Sequence, residues 1–261
     1  MNELNKNDKQ KENCVDIILP NYNKANFLEE CISSVCDQTF KNWKLFIIDD
    51  NSTDDSRKII EKYSKENTFK IFLKKNKGVS FCRNLAIRIS NSKYIAFLDS
   101  DDYWEHDKLE GQILFMEKNK LSFTYSDYTP FTYKNESKKF KKKIFAPDSF
   151  NYEQFTKNTS IGMSSMIINR SVLGTIKFPK VKICEDYSFK CSILKKKIDA
   201  VKFNKNTMYY RISKKSLQSN KLRNLYWVWY INKKYNNFSI IKNFKSLIFI
   251  IINSIKKYGI K

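Results

Sequence analysis

Four polar residues directly follow an apolar run near the middle of the chain. Tyr94–Leu98 predicts a short buried strand, and Asp99, Ser100, Asp101 and Asp102 come next. Isolated carboxylates are costly in an apolar interior, so these side chains must meet water, a cation or a polar ligand. Two aspartates separated by one residue can converge on a hard divalent cation that also binds substrate phosphates. The cluster predicts a metal and phosphate site, although a solvated turn that caps the next helix is the simpler explanation of these four residues alone.

Two further predicted strands also end in polar residues. Val15–Leu19 is followed by PNYN (20–23), and Leu45–Ile48 is followed by Asp49 and Asp50. The carboxyl ends of parallel strands share one edge of a sheet, where ligands bind in open α/β folds. Three such endings together indicate a ligand site and are hard to explain as loops that merely need solubility.

These strand ends carry groups that can bind a nucleotide from base to phosphate. Tyr22 can stack on a base, and Asp49 or Asp50 can accept a hydrogen bond from a base or a ribose. Asp99 and Asp101 can hold a metal ion on the diphosphate. The polar edge of the predicted sheet therefore favours a nucleotide site.

Arg83 lies on a predicted helix that begins after Gly78. A guanidinium pairs with phosphate in a fork geometry, so Arg83 can add a fixed cation to the nucleotide site. A solvated helix arginine explains the residue equally well from sequence.

The elements that would position these residues alternate as strand, helix, strand, helix, which is typical of a doubly wound sheet. The first helix is predicted to begin at an N-cap, Asn26, with Glu29 in the capping-box position. A helix over Thr53–Glu66 and a strand over Phe69–Leu73 follow. The helix after Gly78 is predicted to place four apolar residues on one face: Phe81, Leu85, Ala86 and Ile89.

Composition limits the class of protein. The chain has 261 residues, 41% of them hydrophobic, which is enough for a proper core. Its formal net charge of +22 implies an anionic partner: nucleic acid, nucleotide phosphates or anionic lipid. The six cysteines form no C-x-x-C pair, so reduced thiols are expected. Residues 1–13 are polar, are predicted to be disordered and contain no export signal, and no apolar stretch reaches the roughly 18 residues of a membrane span.

Three segments together resemble one enzyme family. They are VDIILPNYNKANFLEECISSVCDQTFKNWKLFIIDDNSTDDS, NKGVSFCRNLAI and YIAFLDSDDYW, in that order and spacing over Val15–Tyr125. The set is similar to the N-terminal half of the family-2 glycosyltransferases, which have the GT-A fold. The resemblance implies an inverting transfer of a sugar from a nucleotide diphosphate, usually a uridine one, with Mg²⁺ or Mn²⁺ at the D-x-D.

The same resemblance implies a role for each matching residue. Tyr22, Asp49 and Asp50 match base and nucleoside contacts, with Pro20 and Ser100 as further substrate contacts beside them. Arg83 matches the basic residue on the phosphate side. Asp99 matches a ribose or metal aspartate, and Asp101 matches the metal aspartate.

The second half of the chain is expected to bind the acceptor. The segment ICEDY (183–187) resembles the family's E-D motif, which implies Asp186, with Glu185 beside it, as the general base. Such a base supplies about 10²- to 10⁴-fold in rate. The pair also suits the acidic first turn of a helix that runs to about Leu194, and the two interpretations are compatible. Ser213 stands where the family's Y-R-x-H-x-x-S segment often has histidine, which argues against a metal ligand from this loop.

The remaining features have simpler explanations. His106 is expected to be a surface residue near a helix start, and Lys138–Lys143 is expected to be a solvated, mobile loop. Residues 221–261 predict amphipathic helices. For Leu225–Tyr230 core packing is favoured, whereas for Phe244–Lys261 contact with an anionic membrane surface is favoured over core packing or a homodimer contact.

The sequence thus predicts an α/β protein with a mostly parallel GT-A sheet and a C-terminal helical extension. Residues 14–220 form the catalytic domain, with a nucleotide-sugar half (14–125) and an acceptor half (126–220). The predicted activity is hexosyl or N-acetylhexosaminyl transfer from a UDP-sugar to a glycan or lipid-linked acceptor, in surface polysaccharide or lipopolysaccharide synthesis. The expected location is cytoplasmic, on the inner face of the membrane.

Two alternatives are kept open by the same residues. A nucleotidyltransferase can share the nucleotide site, although a base at Asp186 argues against it, because attack on phosphate needs a different geometry. A basic nucleic-acid-binding protein would account for the charge, but the acidic cluster at Asp99–Asp102 would repel a phosphate backbone. No nucleic-acid partner is therefore expected.

Overall fold

A computed structural model describes residues 14–63, 66–134, 137–212 and 220–258. The tail predicted to be disordered (1–13) and the segment containing Ser213 lie outside the described residues.

The strands form one ten-stranded sheet with the path order β3-β2-β1-β4-β9-β6-β10-β5, while β7 pairs with β6 and β8 with β10. In chain order the strands are β1 (Val15–Asn21), β2 (Trp43–Asp49), β3 (Thr68–Phe72), β4 (Tyr94–Phe97), β5 (Tyr103–Trp104), β6 (Phe123–Lys134), β7 (Ser137–Phe140), β8 (Ser149–Phe150), β9 (Ile167–Asn169) and β10 (Ala200–Arg211).

The helices cover both faces of this sheet, which confirms the predicted α/β class. They are α1 (Ala25–Cys36), α2 (Ser56–Lys62), α3 (Val79–Ile89), α4 (Lys108–Lys118), α5 (Tyr152–Phe155), α6 (Glu185–Leu194), α7 (Lys221–Lys234) and α8 (Ile240–Tyr258).

The first four strands of the chain are parallel, as predicted. The chain runs outward from β1 through β2 to β3 and then returns to place β4 on the other side of β1. This reversal of strand order opens a crevice at the carboxyl ends of β1 and β4, where ligands bind in α/β sheets. The acidic segment after β4 lies at this crevice.

The second half of the sheet is mixed. β9 is antiparallel to both β4 and β6, β10 is parallel to β6, and β5 is antiparallel to β10. β6 crosses the predicted division between residues 125 and 126, so both halves share one sheet.

Alternate residues of the central strands feed two apolar clusters. Ile18 and Phe97 join a cluster under α3 and α6, whereas Ile17 and Leu19 join a second one under α1 and α4. This follows from the period of two along a strand, and it buries both faces of the sheet.

Several predicted boundaries were wrong. Pro20 and Asn21 do not stop β1 but form its last two residues. α1 begins at Ala25 without a side-chain cap of its own, because the Asp54 carboxylate accepts the Ala25 amide at 2.9 Å. Asn26 is therefore not the N-cap. The next helix, α2, spans only Ser56–Lys62.

Two predicted surfaces also differ from the structure. In α3 the buried residues are Cys82, Arg83 and Ala86, while Phe81 and Ile89 are exposed. The helix is rotated so that the arginine faces inward. Within Lys138–Lys143, the first three residues belong to β7, which pairs with β6 and is not a loop.

The C-terminal helices pack against the rest of the chain. Within Leu225–Tyr230, where core packing is predicted, Val228 is buried in the core and Tyr230 packs against it, whereas Tyr226 is exposed. Among the described residues, no helix combines the length and the apolar character needed to cross a membrane.

Candidate active site

Asp49 is held at the end of β2 by neutral hydrogen-bond donors. Its Oδ1 accepts the Ser52 amide at 2.9 Å, and its Oδ2 accepts the Ser52 hydroxyl at 2.6 Å and Asn21 Nδ2 at 2.8 Å. Asn21 ends the neighbouring strand, so the two strand ends are joined by side chains. The carboxylate is fixed in place without a cation.

Asp50 is also held by amides, from the segment that leads into α3. Its two carboxylate oxygens accept the backbone N–H of Lys77 at 2.7 Å and of Gly78 at 2.8 Å. Gly78 has φ 86°, a conformation that favours glycine. This turn sets the start of α3 and hence the position of Arg83.

The other residues predicted to contact the nucleotide-sugar differ in solvent exposure. Tyr22 is 46% exposed, which leaves a ring face available for stacking. Pro20 is buried within β1, and Ser100 is buried beside the acidic segment. Their predicted substrate contacts remain predictions.

The two D-x-D aspartates are each paired with a cation. Lys24 Nζ lies 2.5 Å from Asp101 Oδ2, and Arg83 Nη2 lies 2.6 Å from Asp99 Oδ1. Both carboxylates are partly exposed, and each uses one oxygen for its partner. Carboxylate oxygens are the ligands that Mg²⁺ and Mn²⁺ prefer, so this donor set fits either ion.

A metal held here would need ligands from the substrate as well. Among the described residues, no group of three or more histidine, cysteine, aspartate or glutamate side chains is arranged to hold a metal. Two aspartates with diphosphate oxygens and water would complete the shell, which is the usual arrangement for Mg²⁺.

The carboxylate of Asp102 is buried and hydrogen-bonded within the protein. It is 2% exposed, and its oxygens accept the Ser164 hydroxyl at 2.6 Å and the Arg211 amide at 3.0 Å. Burial, with the charges of Asp101 and Asp99, raises its pKa well above the ordinary value. Arg211 also donates from Nε to the Asp101 carbonyl at 2.8 Å, so β10 anchors the acidic segment.

Arg83 joins the acidic segment to the E-D motif. It is only 3% exposed, and its Nη1 lies 2.7 Å from Glu185 Oε1 while Nη2 contacts Asp99. Burial alone would lower the pKa of the guanidinium, but Asp99 and Glu185 together raise it. The side chain predicted to bind phosphate is thus engaged by two carboxylates.

Asp186 is paired with a lysine one turn further along α6. Lys190 Nζ lies 2.8 Å from Asp186 Oδ2 and donates to the Ile161 carbonyl at 2.7 Å. Burial opposes ionisation of Asp186, yet Lys190 and Arg83 lower its pKa below the ordinary value. Burial and the Asp186 charge raise the pKa of Glu185, against the effect of Arg83.

Three side chains of this site were not predicted from the sequence: Lys24, Lys190 and Arg211. Lys190 had a readable signal, because a carboxylate and a lysine at i and i+4 face each other on a helix. Lys24 and Arg211 pair with residues far away in the chain and gave no local signal. His106 is exposed before α4, as expected, and the structure gives it no place in this site.

Comparisons with known proteins show which family the chain resembles in sequence and fold. The sequence model of the family described as Glycosyl transferase family 2 matches residues 16–176. The chain is 37% identical over 216 residues to WfgD of Escherichia coli, a UDP-Glc:alpha-D-GlcNAc-diphosphoundecaprenol beta-1,3-glucosyltransferase, covering 82% of this chain and 83% of WfgD. It is 33% identical over 245 residues to TuaG of Bacillus subtilis (strain 168), provisionally named a teichuronic acid biosynthesis glycosyltransferase, covering 93% and 96% of the two chains.

Solved structures share the fold at low sequence identity. The crystal structure of S. aureus TarS 1-349 in complex with UDP-GlcNAc superposes with a TM-score of 0.70 and 19% identity, covering 93% of this chain and 72% of TarS 1-349. The mannosyltransferase PcManGT from Pyrobaculum calidifontis, in complex with GDP-Man and Mn2+, gives a TM-score of 0.66 and 13% identity, with 95% and 76% coverage. The fold, the site and the match over residues 16–176 lead to one conclusion: the chain belongs to glycosyl transferase family 2.

Proposed function

We propose that this protein transfers a hexosyl or N-acetylhexosaminyl group from a UDP-sugar to a hydroxyl of a lipid-linked glycan, with inversion, during synthesis of a cell-surface polysaccharide. The donor and acceptor classes are supported by WfgD, whose name specifies UDP-Glc and a diphosphoundecaprenol-linked sugar. A role in surface polysaccharide synthesis is further supported by the name of TuaG.

The donor would lie across the carboxyl ends of β1, β2 and β4. Tyr22 offers an exposed ring for the base, and Asp49 and Asp50 are fixed carboxylates that can accept from the nucleoside. Neutral donors hold both carboxylates, so each keeps its negative charge for a ligand N–H or O–H.

The proposed reaction class depends on Asp186, which lies on the opposite side of the crevice. Asp186 would take the proton of the acceptor hydroxyl while that oxygen forms a bond to the anomeric carbon. The bond from this carbon to the diphosphate oxygen breaks with its electron pair, and the nucleoside diphosphate leaves. A lowered pKa keeps Asp186 ionised at neutral pH and able to receive the proton.

Mg²⁺ or Mn²⁺ held by Asp99 and Asp101 would neutralise negative charge on the diphosphate. Lys24 pairs with Asp101 in the protein alone, so a cationic side chain lies next to the position proposed for the diphosphate.

The observation that carries the proposal is the bridge made by Arg83. One buried guanidinium contacts Asp99 of the D-x-D segment and Glu185 of the E-D motif, at 2.6 and 2.7 Å. The residue after Glu185 is the proposed base. The groups proposed for the leaving phosphate and for the acceptor are therefore fixed relative to each other through one side chain.

A donor and acceptor screen tests this function. Purified protein would be incubated with single UDP-sugars, Mg²⁺ or Mn²⁺ and a synthetic diphospholipid-linked sugar, and UDP release and product would be measured. Asp186→Asn keeps the shape but not the basicity of the side chain, so we expect turnover to fall by about 10²-fold or more with donor affinity retained.

The matched control is Asp148→Asn, because Asp148 is 88% exposed and pairs with Lys202, away from the proposed site. It should keep normal turnover. Near-normal turnover of Asp186→Asn would move the base to another residue. Release of a sugar 1-phosphate in place of UDP, with UMP transferred to the acceptor, would identify a nucleotidyltransferase.

A further inference from the structure

Helix α8 exposes an unusual amount of apolar surface. Eight of the eighteen large apolar side chains exposed among the described residues lie on this one helix, with exposed fractions from 40% to 69%. They are Ile240, Ile241, Phe244, Ile248, Phe249, Ile251, Ile252 and Ile255. We call this set the apolar face of α8. Clusters of this kind on a protein surface mark contact with another protein or with a membrane.

The polar side of α8 faces the protein, together with Leu247 and Ile250, which pack against the core. Asn243 Nδ2 donates to the Trp229 carbonyl at 3.0 Å, Ser246 Oγ to the Thr156 carbonyl at 2.6 Å and Asn253 Nδ2 to the Lys157 carbonyl at 3.0 Å. An ordinary surface helix buries its apolar stripe and exposes its polar one. These hydrogen bonds hold α8 in the opposite orientation, so the apolar face points away from the protein.

The charged side chains of α7 and α8 are all basic, and the acidic Glu153 of α5 interacts with Lys242. Lys242, Lys245 and Lys256 are exposed on α8 itself. No acidic residue follows Asp199 anywhere in the sequence, so neither α7 nor α8 carries a negative side chain. A second copy of the chain would bring the same lysines opposite each other, which is unfavourable. An anionic lipid surface is complementary to both the apolar face and the lysines.

The C-terminal end of α8 lies beside the catalytic side of the molecule. Lys257 Nζ lies 5.3 Å from the centroid of the Tyr128 ring. Burial and the nearby charge of Lys190 lower the pKa of Lys257 to about 7. Lys190 is the residue that pairs with Asp186. The C-terminal end of α8 therefore lies near the pair formed by Lys190 and the proposed base.

We infer that α8 lies in the headgroup region of an anionic bilayer, with its apolar face inserted and its lysines among the lipid phosphates. This inference deepens the proposed function. The membrane contact itself does not depend on that function, but its purpose does: a membrane-bound helix near Asp186 would present a lipid-linked hydroxyl to the base. The contact is interfacial, since α8 does not meet the requirements of a membrane span.

Vesicle binding by the full chain tests the inference without any measurement of transfer. The protein would be floated with vesicles of phosphatidylcholine and phosphatidylglycerol, and with vesicles of phosphatidylcholine alone. We expect binding to the anionic vesicles that weakens as salt is raised. The double variant Ile248→Glu/Ile252→Glu should lower partitioning by about 10²-fold, because two isoleucine side chains no longer enter the apolar layer.

Matched controls test whether a loss of vesicle binding comes from the apolar face of α8 itself, from a loss of folding or from a change of net charge. Leu114 of α4 is 63% exposed, so Leu114→Glu tests the same substitution elsewhere and should bind like wild type. Glutamine at the three exposed lysines of α8 should weaken binding by about 10-fold or more. Glutamine at three exposed lysines on other elements should have a smaller effect: Lys41, Lys62 and Lys118.

Other outcomes would overturn the inference. Wild-type protein that stays unbound with anionic vesicles, or a double variant that floats as well as wild type, contradicts it. A dimer in solution that the double variant dissociates would assign the face to a second copy of the chain. Asp186→Asn should still bind vesicles, so a failure of the proposed catalysis and a failure of the membrane contact give different results.

Discussion

The two sides of the proposed active-site crevice hold their carboxylates in different ways. At the donor side, Asp49 and Asp50 accept hydrogen bonds from amides and a hydroxyl, all of them neutral. At the side proposed to be catalytic, Glu185 and Asp186 pair with the buried cations Arg83 and Lys190.

This difference separates two structural tasks. Neutral donors fix a carboxylate and leave its charge for a ligand, which suits recognition of nucleoside N–H and O–H groups. Buried cations compensate the carboxylates and join segments that lie far apart in the chain, such as residues 83 and 185. Removing a cation leaves buried charge unpaired, which costs more than losing a neutral donor.

The largest effect is expected where the two sides meet, at the D-x-D segment. Asp101→Ala should lower turnover by at least about 10³-fold, because a metal ion supplies several kcal/mol of charge stabilisation. A chelator should have the same effect on wild type. The fold should survive, since Asp101 and Lys24 are both partly exposed and such pairs are worth little. Activity that persists in Asp101→Ala with excess chelator would exclude a metal role for this residue.

Removal of the bridging cation should have the next largest effect. Arg83→Met leaves Asp99 and Glu185 without their shared partner, so we expect the free energy of unfolding to fall by about 3 to 5 kcal/mol in urea titrations. The control is Arg57→Met, whose exposed pair with Glu61 should contribute about 0.5 kcal/mol or less. Equal losses in the two variants would show that Arg83 does not join the two segments.

A donor-side carboxylate should be less critical to stability. Asp50→Asn removes the negative charge that accepts the amides of Lys77 and Gly78, and it turns an amide group toward one of them. We expect a loss of about 1.5 to 3 kcal/mol, the range for hydrogen bonds to charged groups. Differential scanning calorimetry with Asp55→Asn as the exposed control measures this. A loss as large as that of Arg83→Met would remove the distinction between the two sides.

Lys108 sharpens the comparison, because its amine is buried and its hydrogen-bond partners are neutral. Its Nζ donates to Gln112 Oε1 at 2.6 Å and to the Ser165 carbonyl at 3.1 Å. Burial lowers its pKa to about 7, in contrast to the raised pKa of Arg83. Above pH 7 the unfolded chain binds more protons than the folded one, so this residue makes stability rise with pH until the ordinary lysine pKa is reached.

The test is the difference between wild type and Lys108→Met. From pH 7 to pH 9 the free energy of unfolding of wild type should gain about 2 kcal/mol relative to the variant. As the pH is lowered from 9 toward 7, the free energy of unfolding of wild type should decrease relative to the variant, because the buried amine becomes charged. Parallel curves for the two proteins would show that Lys108 keeps its ordinary pKa in the fold.

The elements at the donor side were predictable because their causes are local. Apolar runs followed by acidic residues define strands whose ends cannot be buried, and this pattern located Asp49, Asp50, Asp99 and Asp101. The E-D motif was also visible, and α6 begins at Glu185 as expected. The error at Asn26 arose because Asp54, from another segment, accepts the Ala25 amide at the start of α1, and Thr53 stays outside α2 with its amide donating to Asn23 Oδ1.

What the tertiary structure decided is which face of each element turns inward. The composition alone placed a basic, apolar segment at the end of the chain, but only the hydrogen bonds of Asn243, Ser246 and Asn253 turn its apolar face outward. Likewise the pairing of Arg83 with Glu185, 102 residues apart, depends on the rotation of α3 and on the antiparallel strands that bring α6 back to the crevice. Residue type and spacing specify chemistry that can be read locally, whereas burial and charge pairing are set by the packing of the whole chain.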